Sequence, residues 1–220
     1  LDKEPLHGNV PYLSNAVILC NYVRGNYCPI LASGYNDLYL PSSVAFAGRI
    51  INSGIKMFDA SCGLIDVALR GVQKVRIKDF DDAQVHYLTS VGINPVVHSG
   101  NGIIVFSNET LGKLTFPQKR AIDWLTKVIQ NFICDEIFRV WNQMLKYELL
   151  HSIHDFMNAH RLPDGFIADY NLKEISQDVV KKECNVKFSI KLFDCKNEDF
   201  DIDLIGKPST YGIDWHTNIS

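Results

Sequence analysis

Nothing in these 220 residues runs apolar for the roughly 18 to 20 positions that a membrane-spanning helix needs. The N-terminus also lacks the basic-then-apolar order of a signal peptide, so the expectation is a soluble chain that is not exported by that route. The first residue is Leu1, which leads us to expect a processed chain or a part of something longer. Cations are not in surplus: 22 Lys and Arg stand against 25 Asp and Glu, a net charge of -3. That balance argues against nucleic acid as a principal partner, because such surfaces concentrate Lys and Arg. The six cysteines, Cys20, Cys28, Cys62, Cys134, Cys184 and Cys195, form no C-x-x-C pair and have no histidine at zinc-finger spacing. Most are expected to be reduced, partly buried thiols.

Catalytic patterns are equally scarce. Gly100-Asn101-Gly102 lacks the third glycine of a phosphate loop and precedes a strand, where a phosphate cradle needs a helix N-terminus. Around Ser61-Cys62-Gly63 there is no G-x-S-x-G elbow to expose a nucleophile. His151, His154 and Asp155 share one helix, and histidines three apart share a face, so a metal-dependent enzyme built on these three is the alternative in another class. No H-E-x-x-H accompanies them, and a metal site needs several groups converging on one pocket. The acidic run at 198–203 alternates with Phe200 and Ile202, which marks a solvated strand face rather than a cation site. The reading is therefore a non-enzymatic chain with no catalytic residue, no metal and no cofactor.

What is present is a core: 46% of the residues are hydrophobic, enough for a packed domain of this length. Residues 115–160 hold the longest helical period and read as two helices. Ile122, Leu125, Ile129 and Phe132 line one face of the first, with Lys119, Asp123, Lys127 and Asn131 opposite. Thr115 with Gln118 forms a capping-box pattern, and Pro117 falls in the first turn, where its missing N–H breaks no helical bond. Leu145, Leu149, Ile153 and Phe156 form the stripe of the second, with Asn142 at the joint. It must stop before Pro163, Asp164 and Gly165.

Elsewhere the spacing predicts a buried strand over 16–23, a second short strand over 29–32, and a helix opened by Ser42 or Ser43 and ended by Gly54. A strand is expected over 64–76, then a helix capped by Asp81 or Asp82 and closed by Gly92 in a left-handed C-cap. Asn101-Gly102 predicts a β-hairpin between the extended segments 93–98 and 103–107. A short strand over 166–170 is followed by a short helix carrying Leu172, Ile175 and Val179. Then the period becomes two: Val186, Phe188, Ile190 and Leu192 alternate with Lys187, Ser189 and Lys191. Phe200, Ile202 and Leu204 likewise alternate with Asp199, Asp201 and Asp203. From Gly206 the chain reads as an extended tail bearing Tyr211 and Trp215. The fold class expected is α/β, of the α+β kind: a small mixed or antiparallel sheet packed against a long helical pair, with β-hairpins and extended terminal arms. The divisions expected are an opening segment at 1–40, a domain at 41–205 and an arm at 206–220.

The ordered set of motifs resembles the C-terminal part of contractile phage-tail sheath proteins over residues 17–207. Leu40-Pro41-Ser42-Ser43-Val44-Ala45-Phe46-Ala47-Gly48 is similar to that family's V-P-P-S-x-x-V-A-G, with Ser42 at the second proline. Leu88-Thr89-Ser90-Val91-Gly92-Ile93-Asn94 resembles L-x-x-x-G-I-N, and the stretch from Gly100 to Thr110-Leu111 resembles a glycine hairpin ending in R-T-L. Arg120 resembles one arginine of N-V-R-R. Ser107-Asn108-Glu109 departs from the pattern before Thr110, 138–142 only loosely echoes F-E-P-N, and 165–169 matches G-x-x-V-x-x-D with shifted spacing.

The resemblance implies a structural subunit of a contractile tail in a virion, assembled in the host cytoplasm. Its partners would be further copies of itself, a tail tube protein, and baseplate and tail terminator proteins, with no nucleic acid and no membrane. It implies that open strand edges are completed by arms of neighbouring subunits. On that reading Val186, Phe188, Ile190, Phe200, Ile202 and Leu204, with Tyr211 and Trp215 of the arm, serve strand addition. Lys173, Lys181 and Lys182 would offer cations to an acidic tube. A sheath initiator or terminator with the same domain is the nearer alternative.

Overall fold

The computed structural model describes residues 15–25, 39–52, 68–77, 80–100, 102–112, 114–136, 142–161, 165–178, 183–192, 199–210 and 212–219. The chain divides into two compact units, Leu1–Arg120 and Ala121–Ser220. The sequence reading put its boundaries at 40 and 205; compactness puts one between Arg120 and Ala121, inside the long helix. Among the described residues no helix is long and apolar enough to cross a membrane.

The first unit holds two three-stranded sheets. The apolar run expected as one strand is two, β1 (Ile18–Cys20) and β2 (Tyr22–Gly25), which belong to different sheets. Asn21 breaks them apart with a φ of 114°, a conformation that Asn tolerates better than most non-glycine residues. Its side chain makes the break stable. Nδ2 donates to the carbonyls of Ile77 and Val96, both at 2.9 Å, and Oδ1 accepts from the N–H groups of Tyr22 and Ile77.

β1 runs parallel to β5 (Ile93–Ser99), and β5 pairs antiparallel with β6 (Gly102–Val105) across the expected hairpin, with Gly102 at a φ of 119°. The second sheet has the order β3 (Leu40–Pro41), β2, β4 (Val72–Val75). Helix α1 (Ser42–Asn52) starts as the sequence predicts. Helix α2 (Asp82–Ser90) carries a complete capping box between Asp81 and Gln84 and is followed by Gly92 at a φ of 81°. The core of this unit is Val23, Phe46, Leu69, Val75, Val96, Ile103 and Val105, with the Phe116 ring 5.5 Å from that of Phe46. The expected strand at 29–32, the part of the 64–76 strand before 68, and Gly54 lie outside the described residues.

The second unit is a four-stranded antiparallel sheet with two helices, α3 (Phe116–Glu136) and α4 (Gln143–Ala159). α3, whose first residues belong to the first unit, opens with Gln118 Oε1 accepting from the Thr115 N–H at 2.9 Å, as the capping pattern predicts. Asn142 caps α4 through Leu145 N–H at 2.8 Å. Ile122, Leu125 and Ile129 are buried, but Phe132 is 38% exposed and Ile133 takes its place at 1%. A step of four from Ile129 stays on the stripe and a step of three drifts off it. On α4 the stripe is Leu145, Leu149, Ile153 and Met157, with Phe156 half-buried at its margin.

Trp124 of α3 meets Phe156 and His160 at ring separations of 5.6 and 5.1 Å, and Phe166 at 6.0 Å. The turn from α4 into the sheet admits only glycine at 165, because a Cβ there would lie 1.9 Å from the His160 carbonyl oxygen.

Residues 167–178 correct a second expectation. They form one 12-residue strand, β7 (Ile167–Asp178), where a short strand and a helix were predicted. Two bulges, between Ile167 and Asp169 and between Leu172 and Glu174, explain the error. Each bulge adds one residue, so the inward positions Leu172 and Ile175 are three apart and mimic a helical step. β8 (Glu183–Leu192) and β9 (Asp199–Ser209) are the alternating strands foreseen, and their register sets Lys187 opposite Asp203 and Lys191 opposite Asp199. The α/β class of the sequence reading stands, with four helices among the described residues.

Candidate assembly surface

The sheet order, β10 (Gly212–Ile219), β9, β8, β7, decides which residues can meet another chain. Val186, Phe188 and Ile190 lie on β8, and Phe200, Ile202 and Leu204 on β9; all six are buried and both strands are interior. They form the inner face and line no edge. The sequence reading left an edge open there because it took 206–220 for an arm. In the structure Gly206 continues β9, and β10 (Gly212–Ile219) folds back on it, from Gly212 opposite Ser209 to Ile219 opposite Ile202. A period-two signal was available: Ile213, Trp215, Thr217 and Ile219 alternate with Asp214, His216 and Asn218. Pro208 is tolerated within β9 because β8 pairs only as far as Gly206, so the missing N–H costs no bond to β8.

β10 is held lightly. Ile213, Trp215 and Ile219 are half-buried and the side chains between them are exposed. The clearest contact on it is Trp215, whose ring lies over Gly206; a Cβ at 206 would fall 2.8 Å from the indole carbons. Gln130 Nε2 of α3 donates to Thr217 Oγ1 at 3.2 Å, which places α3 over this end of the sheet. β10 and β7 are the two ends of the strand order. Tyr211 lies outside the described residues.

The opposite face of the sheet is polar and predominantly acidic. β9 presents Asp199, Asp201 and Asp203, β7 Asp169, Glu174 and Asp178, β8 Glu183 and β10 Asp214, against Lys173, Lys187, Lys191 and Lys207. Ion pairs cross it: Lys173 to Asp201 at 2.6 Å, Lys207 to Glu183 at 2.7 Å, and Lys187 to Glu174 at 3.9 Å, and Arg161 just before the sheet pairs with Asp169 at 3.0 Å. Lys173 sits in the second bulge of β7 and is thereby aimed across the sheet. Lys181 and Lys182 lie outside the described residues.

The residues of the alternative metal site do not converge. His151 faces Asp155 at 3.6 Å on the exposed side of α4, whereas His154 turns to Tyr170, whose hydroxyl is 2.6 Å from Nδ1. That hydroxyl also reaches two oxygen acceptors, Asn158 Oδ1 at 3.0 Å and the His154 carbonyl at 3.2 Å, while the direction of its bond with Nδ1 follows the histidine tautomer. Burial raises the Tyr170 pKa, with Arg161 opposing and Asp155 and Asp169 adding to it. This cluster ties α4 to β7. Among the described residues no group of three or more His, Cys, Asp or Glu could hold a metal ion.

One polar knot in the first unit escaped the sequence reading except as part of a motif. Asn94 is completely buried; its Nδ2 donates to the carbonyls of Ile18 at 3.0 Å and Glu109 at 2.8 Å. Its Oδ1 accepts from Ser107 Oγ at 2.7 Å and from the Glu109 N–H at 2.8 Å. Thr110, also fully buried, donates to the Leu114 carbonyl and accepts from the Gly112 N–H. Asn94 of the G-I-N segment is thus joined to Ser107 and Glu109, the residues just before the T-L segment.

No curated protein and no solved structure matches the chain. Two family models do, and together they span nearly all of it. Residues 2–113 match the central domain of the type VI secretion system TssC/VipB family, and residues 115–220 match the TssC/VipB-like C-terminal domain. The junction between the matches falls close to the boundary between the two compact units. This is a contractile sheath family related to phage tail sheaths but not the phage tail sheath itself, so the resemblance holds for the sheath and not for the phage family it named. The chain belongs to the TssC/VipB family of type VI secretion sheath proteins.

Proposed function

We propose that this chain polymerises with further copies of itself around a tube and rearranges when the sheath contracts, and that β10 is the segment linking neighbouring copies. The observation that carries the linkage is the character of β10: a regular eight-residue main-chain ladder with few buried side chains and one keyed contact, Trp215 over Gly206. Main-chain pairing is indifferent to which copy supplies the strand, so β10 of one copy can replace that of another on β9. Such an exchange keeps subunits tethered while they shift. The family match favours a secretion apparatus as the setting; the motif resemblance favours a phage tail with its tube, baseplate and terminator.

The test is deletion of residues 212–219 in the assembling protein, followed by electron microscopy. Tubular polymers should be lost while the remaining sheet stays folded by circular dichroism. Polymers of normal length from the deleted chain would refute the linkage.

A further inference from the structure

The two units carry opposite charge. Residues 1–120 hold 11 Lys and Arg against 9 Asp and Glu, a net +2, whereas residues 121–220 hold 11 against 16, a net -5. In the first unit three of these cations, Arg24, Lys74 and Arg76, stand on one sheet face. Val23 and Val75 point into the core, so Tyr22, Arg24, Lys74 and Arg76 point outward. Strands β2, β3 and β4 contain no acidic residue. Lys74 stands directly across from Arg24, whose guanidinium also donates from Nη2 to Gln73 Oε1 at 3.2 Å. Arg76 lies over the Tyr22 ring at 5.8 Å, which holds the guanidinium outward beside an aromatic that is 46% exposed. Among the described residues no acid pairs with Arg70, Lys74 or Arg76. A sheet that keeps matched cations facing each other beside an exposed aromatic is arranged for an anionic partner rather than for its own stability.

We infer that the outward face of β3-β2-β4 docks on the acidic outer face of the β10-β9-β8-β7 sheet of a second copy. That face, with its excess of carboxylates over lysines, supplies the complementary charge within the same sequence. The contact joins different patches on two copies, so it is heterologous and repeats from copy to copy instead of closing a pair. Complementary faces of this kind set partner choice, orientation and association rate more than affinity. The inference rests on the sheath reading, since it supposes that copies of this chain meet, and it adds which faces meet.

The test mixes unlabelled and heavy-isotope-labelled copies of the whole chain, couples amines to carboxylates with a zero-length carbodiimide, and maps the mixed-isotope links by mass spectrometry. Links from Lys74 to Asp199, Asp203 or Asp214 are expected at about 0.01 M salt, where the Debye length is about 30 Å. They should fade at about 1 M, where it is about 3 Å. K74E/R76E should abolish inter-copy association in sedimentation velocity at low salt, and mixing it with D199K/D203K should restore it.

Lys74→Gln, which removes the like charge across from Arg24, should leave the melting temperature of the unassociated chain no lower, so association weakened by it in sedimentation velocity cannot be ascribed to unfolding. Polymers whose mixed-isotope links avoid these two faces would overturn this inference and leave the sheath reading intact. Retention of the chain on a short DNA through Lys74 and Arg76, with no links between copies, would assign the face to a polyanion and also overturn it. Inter-copy association that persists in K74E/R76E by sedimentation velocity at low salt would do the same.

Discussion

Removing the side chain of Asn94 tests the account of the first unit most directly. Asn94→Ala leaves the Glu109 N–H and the carbonyls of Ile18 and Glu109 without their side-chain partner at a fully buried site, while the Ser107 hydroxyl can rotate to another acceptor. Each buried polar group left unpaired costs about 1–3 kcal/mol, and water entering the vacated space softens the sum, so the expected loss is about 3–5 kcal/mol. With an m-value of about 2 kcal/mol/M, the urea midpoint should fall by about 1.5–2.5 M.

Two probes separate the units, because Trp124, Trp141 and Trp215 all lie beyond residue 120. Far-UV circular dichroism should report the early transition, and tryptophan fluorescence should move only if the second unit unfolds together with the first. Ser107→Ala is the control: it removes one donor to Asn94 Oδ1 and should cost about 1 kcal/mol. Should Asn94→Ala cost no more than Ser107→Ala by dichroism, the joint between the β5 and Glu109 segments is not held in the way described.

Other expectations follow the same logic. Leu125→Ala or Ile129→Ala, at buried positions of α3, should each cost about 2–5 kcal/mol in chemical denaturation, whereas Lys127→Ala on the exposed side should stay within about 0.5 kcal/mol. Gly206→Val should displace Trp215, red-shifting the fluorescence and destabilising β10 by about 1–3 kcal/mol; an unshifted spectrum would mean that the indole does not sit over Gly206. Exchanging Lys191 and Asp199, opposite each other across β8 and β9, should change stability by less than about 1 kcal/mol and more at low salt than at high. Burial pushes the Cys184 thiol up to about 11. The unfolded thiol ionises first, so this group lowers stability as pH rises from about 9 towards 11 and contributes no pH dependence below that range. A thiol reagent at neutral pH should leave Cys184 unmodified until the sheet is unfolded.

The amino-acid sequence by itself determined the local features whose signals lie within a few residues. The α3 start at Thr115 and Gln118, the Asn142 cap, the Asp81 capping box, the Gly102 hairpin and the alternation of β8 and β9 all depend on side chains acting on their own backbone or on a fixed period. The polar faces carrying Lys187 and Lys191 on one strand and Asp199 and Asp203 on the other were legible for the same reason.

What only the tertiary structure decided was where each strand sits in its sheet. Two bulges disguised β7 as a helix, because a bulge is a property of the pair and leaves only an ambiguous spacing in one strand. The C-terminal residues looked like an arm because Gly206 and Pro208 read as breaks, yet Gly206 is the only residue that admits Trp215 and Pro208 lies past the end of β8. Once both flanking strands are in place, the residues proposed for an edge become the inner face. The edge moves to β10 and β7, which no local pattern could announce, since an edge is defined by which strand is absent beside it.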